Sequence, residues 1–189
     1  MFKIKVEVCS AHAHLTQSDL EKLFGEGYKL EKEKDFPGFD MFLSSETVTL
    51  EGKSGKLENI PIYGPCRGYS QIEVSRTDSQ RLGVKAPLRL SGKVIRSGAI
   101  KLIGPKGELE LTEGLIVPKR HVHVEPEQAA GLNLRDKQNI KVHIDGPRAL
   151  TFEEVEVRVE ENAELVVHID RDEANAAGVS TETEAELIV

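Results

Sequence analysis

Three times in this chain of 189 residues, a ligand-type side chain at the end of an apolar strand is followed ten positions later by a glycine–apolar pair. Glu73 precedes Gly83-Val84, His121 precedes Gly131-Leu132, and His168 precedes Gly178-Val179. His12 and Gly25 repeat the form with three extra residues. Each copy reads as strand, ligand, short helix, and a glycine that turns the chain into the next strand. Four copies restrict the fold to small, similar pieces, and two copies per barrel give two related β-barrels.

The rest of the sequence agrees with a mainly β protein. Period-two alternation marks Phe2 to Val8 and Glu153 to Val159. Further strands read at 47–50, 58–63, 88–90, 100–103, 140–144 and 165–169, divided by glycine turns at 52–55, 104–107 and 145–147. Helices are few and short. One begins at Thr16, with Asp19 as a capping-box variant, and stops at Gly25. Another takes Pro126 as its first residue and ends at Gly131. Residues 25–45 lack clear periodicity and read as a hairpin-like insertion.

The net charge of −7 argues against a nucleic-acid footprint, which needs a basic stripe. No apolar run approaches the roughly 18 residues of a membrane span, and no signal peptide precedes the first strand, so a cytoplasmic location is expected. Cys9 and Cys66 are too few for a disulfide scaffold and fit a reducing compartment.

Five of the six histidines fall at strand-to-helix junctions of the copies, in His12-Ala13-His14, His121-Val122-His123 and His168. Residues two apart on a strand share a face about 6.5–7 Å apart, so both rings of a pair can lean onto one cation. Glu73 completes a set of six ligands, three for each of two metals, which leaves open positions as in catalytic zinc sites. Nitrogen and carboxylate donors without thiolates suit Zn(II), and also admit Co(II), Ni(II) or Fe(II). His143 has no partner at this spacing and reads as a structural or surface residue.

Tyr63-Gly64-Pro65-Cys66-Arg67-Gly68 is a tight turn that holds an arginine near Glu73 in sequence. Such an arginine recognises phosphate or carboxylate through its fork of donors. The turns at Lys53 and Lys106 are weaker candidates for the same kind of contact.

With these residues assembled, the chain resembles the PduL-type phosphate propanoyltransferases, the zinc-dependent phosphotransacylases. The likeness runs over nearly the whole chain. It is carried by His12 to Thr16, Gly64-Pro65-Cys66-Arg67 with Gln71 to Ser75, Arg120-His121-Val122-His123, and His168 to Ala176. It implies two barrels capped by short helices, one from residues 1–10 and 119–189 and the other from 11–118. It implies two zinc ions, one on His12, His14 and Glu73 and one on His121, His123 and His168. Arg67 takes the place of the phosphate-binding arginine, while Val8, Cys9 and Asn175 match positions that line the coenzyme A site. A homodimer is implied, and the N-terminal extension that sends some relatives into microcompartments is absent. The chain departs from the family at Ala11 and Ala13, at Gly52-Lys53-Ser54-Gly55, and at Pro61, positions that bear on coenzyme A contacts and acyl preference.

The implied reaction interconverts a short-chain acyl-CoA, propanoyl or acetyl, plus phosphate with acyl phosphate plus coenzyme A. Within the motifs no serine or cysteine stands beside a base, which favours direct attack by phosphate over an acyl-enzyme. A metal-dependent hydrolase using a bridging hydroxide shares the paired histidines but has no need of Arg67. A non-catalytic module built from similar barrels is a third reading.

Overall fold

The computed structural model of the chain describes residues 2–37, 39–181 and 183–189. Met1, in the 1–10 segment assigned above to one barrel, and Gly38, in the insertion as read above, lie outside the described residues. Strand β1 (Phe2–Cys9) opens the chain. The unit Ser10–Pro118 then runs β2 (His12–His14), α1 (Gln17–Phe24), β3 (Lys32–Asp35), β4 (Phe42–Glu51), β5 (Lys56–Gly64), β6 (Gln71–Glu73), α2 (Arg76–Leu82), β7 (Leu88–Arg89), β8 (Gly98–Ile103) and β9 (Glu108–Pro118). Next come β10 (His121–Val124), α3 (Pro126–Gly131), β11 (Asn139–Ile144), β12 (Leu150–Val159), β13 (Val166–Asp170), α4 (Arg171–Ala177) and β14 (Glu184–Ile188). Together with β1 these make the second unit, Met1–Cys9 plus Lys119–Val189.

Both units are six-stranded barrels of one topology. In the second, the strands close in the order β1-β13-β10-β12-β11-β14. In the first, β4-β5-β2-β6-β9 are neighbours, and β8 bonds both β4 and β9 to close the ring. Strand β2 is parallel to β5 and antiparallel to β6, just as β10 is parallel to β12 and antiparallel to β13. Strand β6 is parallel to β9 as β13 is to β1. The first strand of the chain therefore fills, in the second barrel, the place that β9 fills in the first. Strand β3 pairs antiparallel with the start of β4, so the insertion is a hairpin.

Alternation decides which side chains face each core. Ile4, Val6, Val122, Val124, Val167 and Ile169 fill the second barrel, while Ala13, Ile62, Ile72 and Leu115 belong to the core of the first. The intervening residues of the same strands, His12, His14, Glu73, His121, His123 and His168, are thereby turned to the barrels' outer faces.

The helices are set by their ends. Ser75 caps α2 by accepting from the Asp78 amide, and Asp170 caps α4 in a full capping box with Glu173. Gly83 and Gly178 follow α2 and α4 in the left-handed region, at φ 67° and 69°, where a side chain would be strained. The third copy departs from expectation. Gly131 ends α3 as expected, but it is Asn133, at φ 56°, that takes the left-handed position. The amide of Leu134 reaches back to Ala129 as Val84 does to Ser79 and Val179 to Ala174, so the true counterpart of the glycine pairs is Asn133-Leu134. Asparagine tolerates this backbone nearly as well as glycine, and that hid the position.

The two glycine–lysine turns dock on helix ends. Gly52 and Gly55 close one turn, whose Ser54 amide donates to the Leu82 carbonyl at 3.0 Å. Gly104 and Gly107 close the other, whose Lys106 amide donates to Leu23 at 2.9 Å. A Cβ on Gly52 would lie 2.1 Å from the Leu82 oxygen, so this glycine is required by close approach.

Candidate metal centre

On the outer face of the first barrel, β2 and β6 run side by side with His12 opposite Glu73 and His14 opposite Gln71. One ligand atom from each of His12, His14 and Glu73 lies within 4.8 Å of the others, and all three residues are buried. This group can hold a metal ion. His12 Nδ1 donates to the Ser10 carbonyl at 2.8 Å and His14 Nδ1 to the Tyr63 carbonyl at 3.3 Å. With the proton on Nδ1, each neutral ring presents its Nε2 lone pair to the cluster. His12 Nε2 stands 3.6 Å from Glu73 Oε2. The other carboxylate oxygen is held by Gln71, whose Nε2 donates to Glu73 Oε1 at 2.6 Å and to Ser91 Oγ at 2.8 Å. The Tyr63 ring stacks on His12 at 4.2 Å. Gln71 and Tyr63 thus orient the ligands, a role that their sequence positions did not reveal.

The second barrel repeats the arrangement with different chemistry. His121 lies opposite His168 across β10 and β13, with the rings stacked 5.1 Å apart. His123 meets His168 edge-on at 4.9 Å. His121 Nδ1 donates to the Lys119 carbonyl at 2.9 Å, the counterpart of the His12–Ser10 bond. His123 Nδ1 donates to Glu160 Oε2 at 2.9 Å. The Nε2 atoms of His121 and His123 then face each other at 2.9 Å. Two lone pairs at that distance repel unless a proton or a cation sits between them.

Arg67 is brought to the first group by its backbone. Its amide donates to the carbonyl of Leu15, the residue after His14, at 2.8 Å. The guanidinium rests on Met41 Sδ at 2.8 Å and is close enough to His14 to disfavour its protonation. The same junction is tied a second time. The Thr16 amide donates to Ser70 Oγ at 3.0 Å, and the Ser70 hydroxyl donates to Asp19 Oδ2 at 2.7 Å. Thr16 Oγ1 accepts from the Asp19 amide, so the expected capping box exists with a serine interposed on its return path. Ser70→Ala leaves the half-buried Thr16 amide without this acceptor and is expected to destabilise the fold by about 1 kcal/mol, measurable by chemical denaturation.

The other residues singled out from sequence fall as follows. Cys9 Sγ lies 3.2 Å from His168 Nδ1, so a cysteine does stand beside a base. The motifs missed it because Cys9 arrives on β1, which pairs with β13 from the far end of the chain. Val8 is half-buried against the second core, and Asn175 is exposed on α4. His143 bonds Thr151 and Asp145. Arg120 is a clamp that donates to the Glu153 carbonyl and to Glu173 Oε1, while Ala11 in the first barrel packs against the core. Among the described residues no helix is long and apolar enough to cross a membrane.

Burial, then the neighbouring His12 ring and the Arg67 guanidinium, push the His14 pKa down from 6.5 to about 2. Burial also holds the His121 pKa well below the ordinary histidine value, helped by Arg158 and the two neighbouring imidazoles. At His14 the unfolded chain takes up a proton below pH 6.5, and the folded chain does so only near pH 2. Stability from this source is complete above that pH and is lost as the pH falls. For the metal-free protein the expected slope from His14, well below the ordinary histidine value, is roughly 1 kcal/mol per pH unit, read from denaturation at a series of pH values.

Compared with known proteins, the chain matches the phosphate propanoyltransferase family over residues 5–180. It is 43% identical over 185 residues to the phosphate propanoyltransferase of Clostridioides difficile, covering 98% of this chain and 88% of that protein. The protein of that name from Lachnoclostridium phytofermentans is 45% identical over 180 residues, covering 95% and 84%. Its namesake from Thermotoga maritima is 44% identical over 179 residues, covering 94% and 85%.

Proposed function

The chain belongs to the phosphate propanoyltransferase family, a family of acyltransferases, and from that premise we infer that it interconverts propanoyl- or acetyl-CoA plus phosphate with acyl phosphate plus coenzyme A. The observation that carries this reading is the buried His12–His14–Glu73 group, with Arg67 bonded to the residue that follows His14. His12, His14 and Glu73 hold one zinc ion, and His121, His123 and His168 hold the other. The opposed Nε2 atoms of His121 and His123 and the Nδ1 protons of all four paired histidines fit a bound cation. When bound, the ion on His12, His14 and Glu73 supplies Lewis acidity toward the thioester carbonyl or the departing thiolate.

Arg67 exchanges its weak sulfur acceptor for phosphate oxygens and fixes the nucleophile by a charge-assisted fork. A phosphate oxygen attacks the thioester carbon, the C–S bond breaks, and coenzyme A leaves as thiolate. Holding both reactants in one place supplies several kcal/mol of the barrier. Val8, Cys9 and Asn175 contribute to the coenzyme A site. The enzyme acts in the cytoplasm as a homodimer.

The test is thiol release from propanoyl-CoA and acetyl-CoA by the zinc-loaded protein, with and without phosphate. Release that depends on phosphate supports the transferase. Release without phosphate, unaffected by Arg67→Ala, identifies a hydrolase instead. The contact between Cys9 and His168 makes an acyl-cysteine the specific rival of direct attack. It would exchange labelled coenzyme A into acyl-CoA in the absence of phosphate, whereas direct attack predicts no such exchange.

A further inference from the structure

Glu7 stands in line with the ligands of the second barrel. Its Cα partner on β13 is His168, and the partner of His168 on β10 is His121. The three side chains form one row across β10, β13 and β1, on the outer face. Glu7 Oε2 lies 3.7 Å from His168 Nε2. The equivalent row in the first barrel is His12, Glu73 and Ile116, across β2, β6 and β9. There Glu73 Oε2 lies 3.6 Å from His12 Nε2. Each row thus carries one carboxylate at nearly the same distance from an imidazole Nε2, moved over by one strand between the barrels.

We propose that Glu7 is a fourth metal ligand of the second barrel, beside His121, His123 and His168; this rests on the two-site reading above. Two donors bound at about 2.0–2.1 Å to one tetrahedral ion stand roughly 3.3 Å apart, so the carboxylate needs to close by only a few tenths of an ångström. Charge supplies the reason. A dication on three neutral imidazoles is poorly compensated in a buried place, and a carboxylate donor removes half of its charge. Glu160 does not serve this purpose directly, because it accepts the Nδ1 proton of His123 on the far side of the ring. In the first barrel Ile116, fully buried, occupies the place of Glu7 because Glu73 already brings the negative charge.

The experiment is zinc titration of the metal-stripped full-length protein against a chromophoric chelator, with cobalt absorption as a second readout. Wild type, Glu7→Gln, Glu73→Gln and the double variant are compared, each checked for folding by circular dichroism. Glu7→Gln is expected to weaken one class of site by about tenfold or more and to alter its cobalt band. Glu73→Gln should weaken the other class, and the double variant both. An affinity for Glu7→Gln within twofold of wild type, or both single variants acting on the same class, overturns the role of Glu7. If the wild type binds only one equivalent, with that one lost in Glu73→Gln, the two-site reading fails and Glu7 with it. Should Glu7→Gln not fold, Glu7→Asp keeps the charge but draws it back by one methylene, and the same weakening is required of it.

Discussion

Glu73→Ala is expected to cost one equivalent of bound metal per chain and to lower phosphate-dependent thiol release by about 10²–10³-fold, the rate equivalent of several kcal/mol of Lewis-acid stabilisation. The loss should be confined to one site, because the carboxylate belongs to the His12–His14 group and none of its described bonds leaves the first barrel. Loss of both ions together would contradict independent sites. Gln71→Ala makes a graded comparison. Gln71 holds only the carboxylate oxygen turned away from His12, and its removal is expected to weaken metal binding by about 10–100-fold while leaving the ligand count intact. Metal analysis after gel filtration, set beside turnover at saturating zinc, separates the two effects. Excess zinc should rescue Gln71→Ala and fail to rescue Glu73→Ala.

The parts of this architecture that were legible in the sequence are those with a local period. A strand of period two puts His12 with His14, and His121 with His123, on one face whatever surrounds them. The recurrence of strand, ligand and glycine promoted Glu73 and His168, which would otherwise read as a surface carboxylate and a residue near a helix cap. The supporting residues were hidden because register between distant strands sets them. Tyr63 reaches His12 and His14 from β5, Glu160 reaches His123 from just beyond β12, and Cys9 reaches His168 from the opposite end of the chain. Glu7 was hidden for the same reason, since alternation along β1 marks it only as a polar, outward residue. The turn after α3 was hidden for a different reason. Gly131 follows the spacing of the other copies, but the left-handed backbone falls two residues later, at Asn133.

Arg67→Ala is expected to reduce kcat/KM for phosphate by about 10²–10³-fold, the typical effect of removing one preorganised electrostatic partner from a reacting centre. The fall should appear mainly with phosphate as the varied substrate, because the guanidinium is the nucleophile's partner and not the thioester's. Arg67→Lys should recover little of it, since an ammonium keeps the charge and loses the two-pronged geometry. Met41→Leu is the informative control. It removes the sulfur on which the guanidinium rests and leaves the backbone bond from Arg67 to Leu15 in place, so its effect on phosphate should stay within about threefold. The same substitution offers a readout independent of catalysis. Arg67 is one of the charges that hold the His14 ring neutral, so in the metal-free Arg67→Ala protein the His14 pKa should rise, followed by ring-proton shifts in a pH titration. A rise with undiminished phosphate kinetics would leave it as a neighbour of the metal ligands and remove it from the reaction.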